Sequence, residues 1–145
     1  MHKPYEVINH TADIGIRVCG NNLNSLFLNA ACAMFEIILE PQKKRGRFEK
    51  IAQTKFVVNK QSSNLEELFV AWLGELLYLF SVEGLIMQKA DIQKLDANSI
   101  QADVVGQIFN PEFHKIKTEI KAVTYHGLKI AKQRRGYQAE VIFDV

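Results

Sequence analysis

Three short stretches concentrate the side chains that do chemistry. The first is Asn9-His10-Thr11-Ala12-Asp13-Ile14-Gly15, which packs His, Thr and Asp into four positions between two strand-like runs. Strand packing asks for no such trio; a tight polar turn does, and so does a site. The second is Glu119-Ile120-Lys121-Ala122-Val123-Thr124-Tyr125-His126-Gly127, where Lys121, Thr124 and His126 cluster. The third is the end of the chain, Asp144-Val145, which brings one side-chain carboxylate and the main-chain oxygens of Val145, those of the terminal carboxylate.

Taken alone, Asp13 reads either as an Asx-type turn accepting local backbone hydrogen bonds or as a functional carboxylate. Asp144 reads as a solvated group at a fraying terminus unless the strand before it is docked. That strand is strongly patterned, so the end is expected to be held. Asp13, Asp144 and Val145 together would make an all-oxygen, negatively charged cluster. Such a donor set suits a hard cation, Ca²⁺ or Mg²⁺, and is wrong for zinc, which prefers nitrogen and sulfur. Carboxylates held close with no cation would repel and raise one another's pKa.

Nucleophilic catalysis finds little support. Thr11, Thr124 and Cys19 are available beside His10 and His126, but no strained elbow or flanking glycine pattern presents any of them. A phosphate-binding glycine loop and a dinucleotide fingerprint are both missing. A metal-dependent phosphohydrolase would need more ligands and a clearer base than the acidic residues offer. The run Lys43-Lys44-Arg45 with Arg47 and Lys50 reads as a solvated loop rather than an RNA surface, since Phe48 is its one aromatic that could stack on a base.

These residues must be positioned by ordinary elements. Tyr5 to Asn9 reads as a strand, and Ile14, Ile16 and Val18 alternate with Gly15, Arg17 and Cys19 as a second, half-buried one. Asn22 or Asn24 caps a helix whose stripe of Phe27, Ala30, Ala31, Met34 and Ile38 runs until Pro41. Gln42 to Lys50 is a loop, and Ala52, Thr54, Phe56 and Val58 line one face of a third strand. Ser62-Ser63-Asn64, with Glu66 or Glu67 completing a capping box, opens a second helix carrying Leu65, Leu68, Phe69, Trp72, Leu76, Leu79 and Phe80. Gly84 stops it. Strands follow over Leu85 to Leu95, around Ile100, Ala102 and Val104, over Lys115 to Gln133, and from Tyr137 to the end; Asp96-Ala97-Asn98 and Arg134-Arg135-Gly136 are turns. In the Lys121 stretch, alternation puts Lys121, Val123 and Tyr125 on one face and Ala122, Thr124 and His126 on the other. Two helices cannot cover both faces of a parallel sheet of this size, so the fold class is α+β: two-layer, with a largely antiparallel sheet.

With 145 residues, 48% hydrophobic and 23% charged, the chain reads as one soluble domain with a sizeable core, residues 1–145. A formal net charge of +2 does not by itself indicate nucleic-acid binding. Cys19 and Cys32 form neither a disulfide framework nor a metal spacing, and are expected to be reduced, buried thiols in a cytosolic protein. The N-terminus has no apolar signal core, and Glu66, Glu67 and Glu75 break the most apolar window. Nothing resembling a tag follows Val145, so its carboxylate is expected to be native.

The His10–Ile16 segment with Gly20, Leu26-Phe27 and Ala30-Ala31, the Glu119–Leu128 segment, and the ending Ala139–Val145 together resemble the archease family, in the right order and over nearly the whole chain. The resemblance implies a small cytoplasmic accessory protein, not an enzyme in its own right. Its partner would be the GTP- and metal-dependent RNA ligase of the RtcB type, which acts in tRNA splicing and RNA repair. The accessory protein would promote guanylylation of the ligase's active-site histidine and let the ligase turn over. The family's metal site carries over to Asp13, Asp144 and the main-chain oxygen of Val145, with Ca²⁺ the expected occupant and Mg²⁺ another suitable ion. Lys121 matches a lysine tied to ligase activation; His10 and His126 match motif positions without a defined role. The alternative within the same resemblance is a chaperone-like module for an RNA-modifying enzyme such as a tRNA methyltransferase. Gln42 to Lys50 is the least family-like stretch.

Overall fold

A computed structural model describes residues 3–9, 13–42 and 52–145. His10, Thr11 and Ala12 of the first polar stretch and the basic run Lys43–Lys50 lie outside the described residues. Strands β1 (Tyr5–Asn9) and β2 (Asp13–Gly20) lead into helix α1 (Leu23–Ile38). Strand β3 (Thr54–Gln61) and helix α2 (Leu65–Tyr78) follow, then β4 (Leu85–Leu95), β5 (Ser99–Ile108), β6 (Ala122–Gln133) and β7 (Gly136–Asp144). The class is α+β, and every strand pairing is antiparallel. The strands fall into two sheets, β1-β2-β7-β6 and β3-β5-β4.

Local chemistry sets the helix ends. Asn22, not Asn24, caps α1: its side-chain oxygen accepts from the Ser25 N–H at 2.8 Å. Asn64 caps α2 through the Glu67 N–H at 2.8 Å, while the Glu67 carboxylate reaches back to the Ser63 N–H at 3.3 Å, so Glu67 supplies the return bond. A π-helical turn over Leu79–Glu83 extends α2, and Gly84 ends it in the left-handed region at φ 76°.

Both helices share one core with the inner faces of the two sheets. Ile16, Val18, Val141 and Phe143 come from the four-stranded sheet, Val58, Ile100, Ala102 and Val104 from the three-stranded one. Between them α1 buries nine of its 16 residues, too many for a one-faced surface helix. Phe27 and Phe69 meet edge-to-face at 5.1 Å, and the buried Trp72 Nε1–H donates to the Phe27 carbonyl at 2.9 Å. That bond satisfies the one polar atom of the largest core side chain.

Two expectations need correction. The run Lys115–Gln133 is not one strand, because β6 begins at Ala122. The preceding segment spends its backbone on α1 instead: the Lys117 and Thr118 N–H groups donate to Ile38 O at 2.8 and 3.2 Å, and Lys115 O accepts from Glu40 N–H at 2.9 Å. The first two satisfy the Ile38 carbonyl, which the helix end leaves open. The cysteines are exposed, not buried. Cys19 lies on the outward side of β2, where alternation turns it away from Val18, and Cys32 lies on the exposed stripe of α1 with Glu36. Among the described residues no helix is long and apolar enough to cross a membrane.

Candidate functional site

The β2–β7 ladder runs in unbroken register from Gly20↔Tyr137 to Asp13↔Asp144. Asp13 is therefore the first residue of a strand and not a turn residue ahead of it. Because directly opposed residues share a face with their Cβ atoms about 4.5–5.5 Å apart, the two aspartates stand side by side on the outward face. Asp144 is exposed and Asp13 half-buried. Ala122 of β6 is opposite Asp144 on the other side, so the row reads Asp13–Asp144–Ala122. Neither aspartate has an ion-pair partner among the described residues.

Four residues along the strands, the same face carries a different row. Glu6 of β1 is opposite Arg17 of β2, Arg17 is opposite Glu140 of β7, and Glu140 is opposite Lys129 of β6. The signs alternate across all four strands. Arg17 pairs with both carboxylates, at 2.9 Å to Glu140. The hydrogen bond that the Arg17 guanidinium donates to Glu140 is the main reason its pKa is raised. The acidic row has no such compensation.

Lys121 is brought to the acidic row through its backbone. Its N–H donates to the Asp144 carbonyl at 2.7 Å, which extends the β6–β7 ladder by one bond and leaves the side chain exposed. Val145 is half-buried against the core, so its main chain is held at the same edge. His126 is not brought there. Alternation holds through Thr124↔Ile142 and then breaks, because a bulge places four residues, Tyr125 to Leu128, between the pairs Thr124↔Ile142 and Lys129↔Glu140. Gly127 supplies the turn at φ 68°. Tyr125 is consequently 58% exposed instead of facing inward with Val123, and His126 is exposed beside it. On the register of β7 His126 falls inside the bulge, between the levels of Ile142 and Glu140 and not at that of Asp144. His10 lies outside the described residues.

The other candidate chemistry is absorbed by structure. The Thr124 hydroxyl donates to the Ile142 carbonyl at 3.0 Å. His114 is buried, accepts the Asn110 N–H on Nδ1 at 2.9 Å and faces Gln107 Oε1 from Nε2 at 3.1 Å. That pattern fixes a neutral tautomer in a structural role. Among the described residues, no three His, Cys, Asp or Glu side chains gather into a metal-holding group. The acidic row itself offers two carboxylates and main-chain oxygen. This donor chemistry fits a hard cation and leaves coordination positions for water or a partner's ligands.

Two features lay outside the reach of the sequence. One is an apolar groove of about 570 Å³ at the end of α2, lined by Phe80, Val82, Ile108, Ile116 and Ile120 among others, with Val82 59% and Ile116 45% exposed. Exposed apolar residues have no period to betray them. The other is a cleft of about 840 Å³ at the opposite end of the sheet, beside the Arg134-Arg135 turn. Adjacent arginines in a hairpin turn are the signal by which it could have been found.

Residues 5–145 match the model of the Archease protein family (MTH1598/TM1083). Protein archease of Methanosarcina acetivorans is 40% identical, over 99% of this chain and 97% of that protein. Protein archease of Pyrococcus furiosus is 35% identical, over 99% of each chain. The solution structure of Methanobacterium thermoautotrophicum protein 1598 superposes with a TM-score of 0.72 at 27% identity, covering 99% of this chain and 100% of that one. The crystal structure of an archease from Thermotoga maritima, described as a possible chaperone, shares the fold with a TM-score of 0.62 at 24% identity, covering 100% of this chain and 98% of that one.

Proposed function

Because the chain belongs to the archease family, we propose that it is a cytoplasmic activator of an RtcB-type RNA ligase, working through the acidic end of its four-stranded sheet. The observation that carries the reading is the uncompensated row Asp13–Asp144 beside a row on the same face whose charges alternate. Side chains of like charge held opposite each other are destabilising unless something neutralises them. Asp13, Asp144 and the Val145 main-chain oxygen would hold Ca²⁺ or Mg²⁺, which supplies positive charge for binding oxyanions when bound.

The chain's own groups supply position. The rigid ladder fixes the two carboxylates at an exposed edge, and the Lys121–Asp144 backbone bond ties the main chain of the exposed Lys121 to the same edge, where its ammonium would meet a phosphate or carboxylate of the partner. Phosphoryl transfer responds mainly to positioning and charge neutralisation. An accessory surface of this kind therefore needs no nucleophile of its own. The RNA ends that react would be held by the ligase, not by the acidic end.

The test is ligation of 3′-phosphate or 2′,3′-cyclic phosphate ends to 5′-hydroxyl ends, with ligase far below RNA concentration. Asp13→Ala and Asp144→Ala are each expected to lower stimulated turnover at least tenfold, and Lys121→Ala to do so with the acidic row intact. Stimulation by both aspartate variants equal to wild type would sink the reading. A chaperone-like module for a tRNA methyltransferase is the second reading, and the exposed apolar groove at Val82 and Ile116 favours it. Co-purification of a methyltransferase in place of the ligase, abolished by Val82→Asp, would select it.

A further inference from the structure

The cleft at the far end of the four-stranded sheet is cationic by construction. Lys3, Arg134 and Arg135 line it, and among the described residues no acidic side chain does. Among the described residues neither arginine forms an ion pair, whereas Arg17 on the same sheet forms two. Unpaired neighbouring arginines are held together against their own repulsion, and the groups that match their planar forks are phosphates and carboxylates.

The turn that carries them is fixed to the body of the fold. Gly136 adopts φ 123° and packs so closely that a Cβ there would lie 2.1 Å from the Gly20 carbonyl oxygen. Gly20 is itself paired with Tyr137 at the end of the β2–β7 ladder. The arginines are thus mounted on a braced hairpin at the rim of a concavity. Tyr137, half-buried against the core, lines the cleft, and Asn21 and Ser25 add polar groups. Cations that meet phosphates, small polar groups that meet sugar and phosphate, and an aromatic face on which a base can stack are the parts of a single-strand site.

We propose that this cleft binds the phosphate backbone of a single RNA strand. The phosphate chemistry follows from the cleft; the choice of RNA over other phosphate polymers rests on the ligase reading above. The site lies at the other end of β7 from Asp144, about 27 Å away by strand rise. RNA and the acidic end therefore do not compete for one surface, and a strand held at the cleft leaves the acidic row free to face the partner.

The probe is a fluorescein-labelled 15-nucleotide single-stranded RNA, followed by anisotropy at several salt concentrations with the full chain. Arg134→Ala/Arg135→Ala is expected to weaken binding at least tenfold. It should also flatten the dependence of log K on log salt by about 1.4, the value for two lost phosphate contacts on a single strand. Lys55→Ala/Lys60→Ala removes the same charge from the other sheet and is expected to change binding less than twofold. Equal losses in the two double variants, or no binding by wild type at millimolar protein, would overturn the proposal. GTP that displaces the RNA at equal concentration would reassign the cleft to nucleotides and overturn it too. Stimulation of ligase guanylylation, measured without RNA, separates the two readings. The arginine double variant keeps it and the aspartate variants lose it, so each reading can fail without the other.

Discussion

Two rows of side chains cross the same face of the same sheet, and they treat charge in opposite ways. Glu6–Arg17–Glu140–Lys129 alternates in sign across four strands, and Arg17 touches both of its carboxylate neighbours. Asp13–Asp144–Ala122 sets two negative groups side by side, with no ion-pair partner for either among the described residues. Strand propensity explains neither arrangement, since Asp is depleted in strands and placing like charges opposite each other is unfavourable. The first row is what a sheet does to stabilise its outer face. The second opposes that tendency at a single edge, and local departures from stabilising rules are expected where function resides.

The strongest way to break this comparison is to supply the missing charge. If the acidic row is a cation site, Ca²⁺ at about a hundred times its dissociation constant will raise unfolding free energy by about 2.7 kcal/mol, and EDTA will remove the gain. Asp144→Asn should lose most of that increment. A substitution in the compensated row, Glu140→Gln, should keep it. Urea titrations with and without Ca²⁺ read both. A Ca²⁺ increment of equal size in wild type and Asp144→Asn would mean that the acidic row is not the site.

A second substitution makes one row imitate the other. Asp13→Lys turns the like pair into an opposite pair directly across the ladder, and without metal it should stabilise the protein by roughly 0.5–1 kcal/mol. The same change should abolish both the Ca²⁺ increment and ligase stimulation. Stability rising while function falls is the signature of a site maintained at a cost to the fold. A metal-free Asp13→Lys protein less stable than wild type would show that the aspartates are not in conflict.

How much of this was legible beforehand differs between the two rows and the elements that carry them. Strands β2 and β7 were readable because Ile14-Ile16-Val18 and Tyr137-Ala139-Val141-Phe143 alternate cleanly, and a period of two fixes which side faces inward. That same period placed Asp144 outward. It could not place Asp13 opposite it, since register is a relation between two strands and neither sequence contains it. Resemblance, not spacing, joined Asp13 to Asp144 and Val145. Local pattern puts Lys121 in a strand, yet it precedes one, because α1's open carbonyl at Ile38 captures the backbone of Lys117 and Thr118, a tertiary demand invisible in that pattern. For His126, alternation gives a face that the bulge at Gly127 cancels. The cysteines depart from expectation because a thiol is apolar enough to be expected inside wherever it falls.

The smallest effect tests a third way in which this molecule compensates a carboxylate. The Tyr5 hydroxyl donates to Glu36, joining edge strand β1 to α1 with a neutral donor in place of a cation. Burial of the phenol, with the Glu36 hydrogen bond second, pushes the Tyr5 pKa up to about 12 from 10.0. The folded state then holds a proton that the unfolded chain releases above pH 10. Stability from this contact is complete below pH 10 and drains away as pH rises towards 12. Tyr5→Phe should remove the contact at neutral pH and flatten the alkaline decline. The difference between the two proteins should shrink by about 0.5 kcal/mol between pH 9.5 and 11.5, well below the roughly 2.7 kcal/mol that two units would give in a dry interior, because solvent reaches the pair. Lysines titrate in the same window, so the quantity to measure is the wild-type minus Tyr5→Phe difference in urea midpoint at each pH. Ca²⁺ response and ligase stimulation should be unchanged, because this carboxylate already has its partner. If Tyr5→Phe altered the Ca²⁺ response, the acidic row would be coupled to the β1–α1 contact, and its lack of compensation would no longer be a property of that row alone.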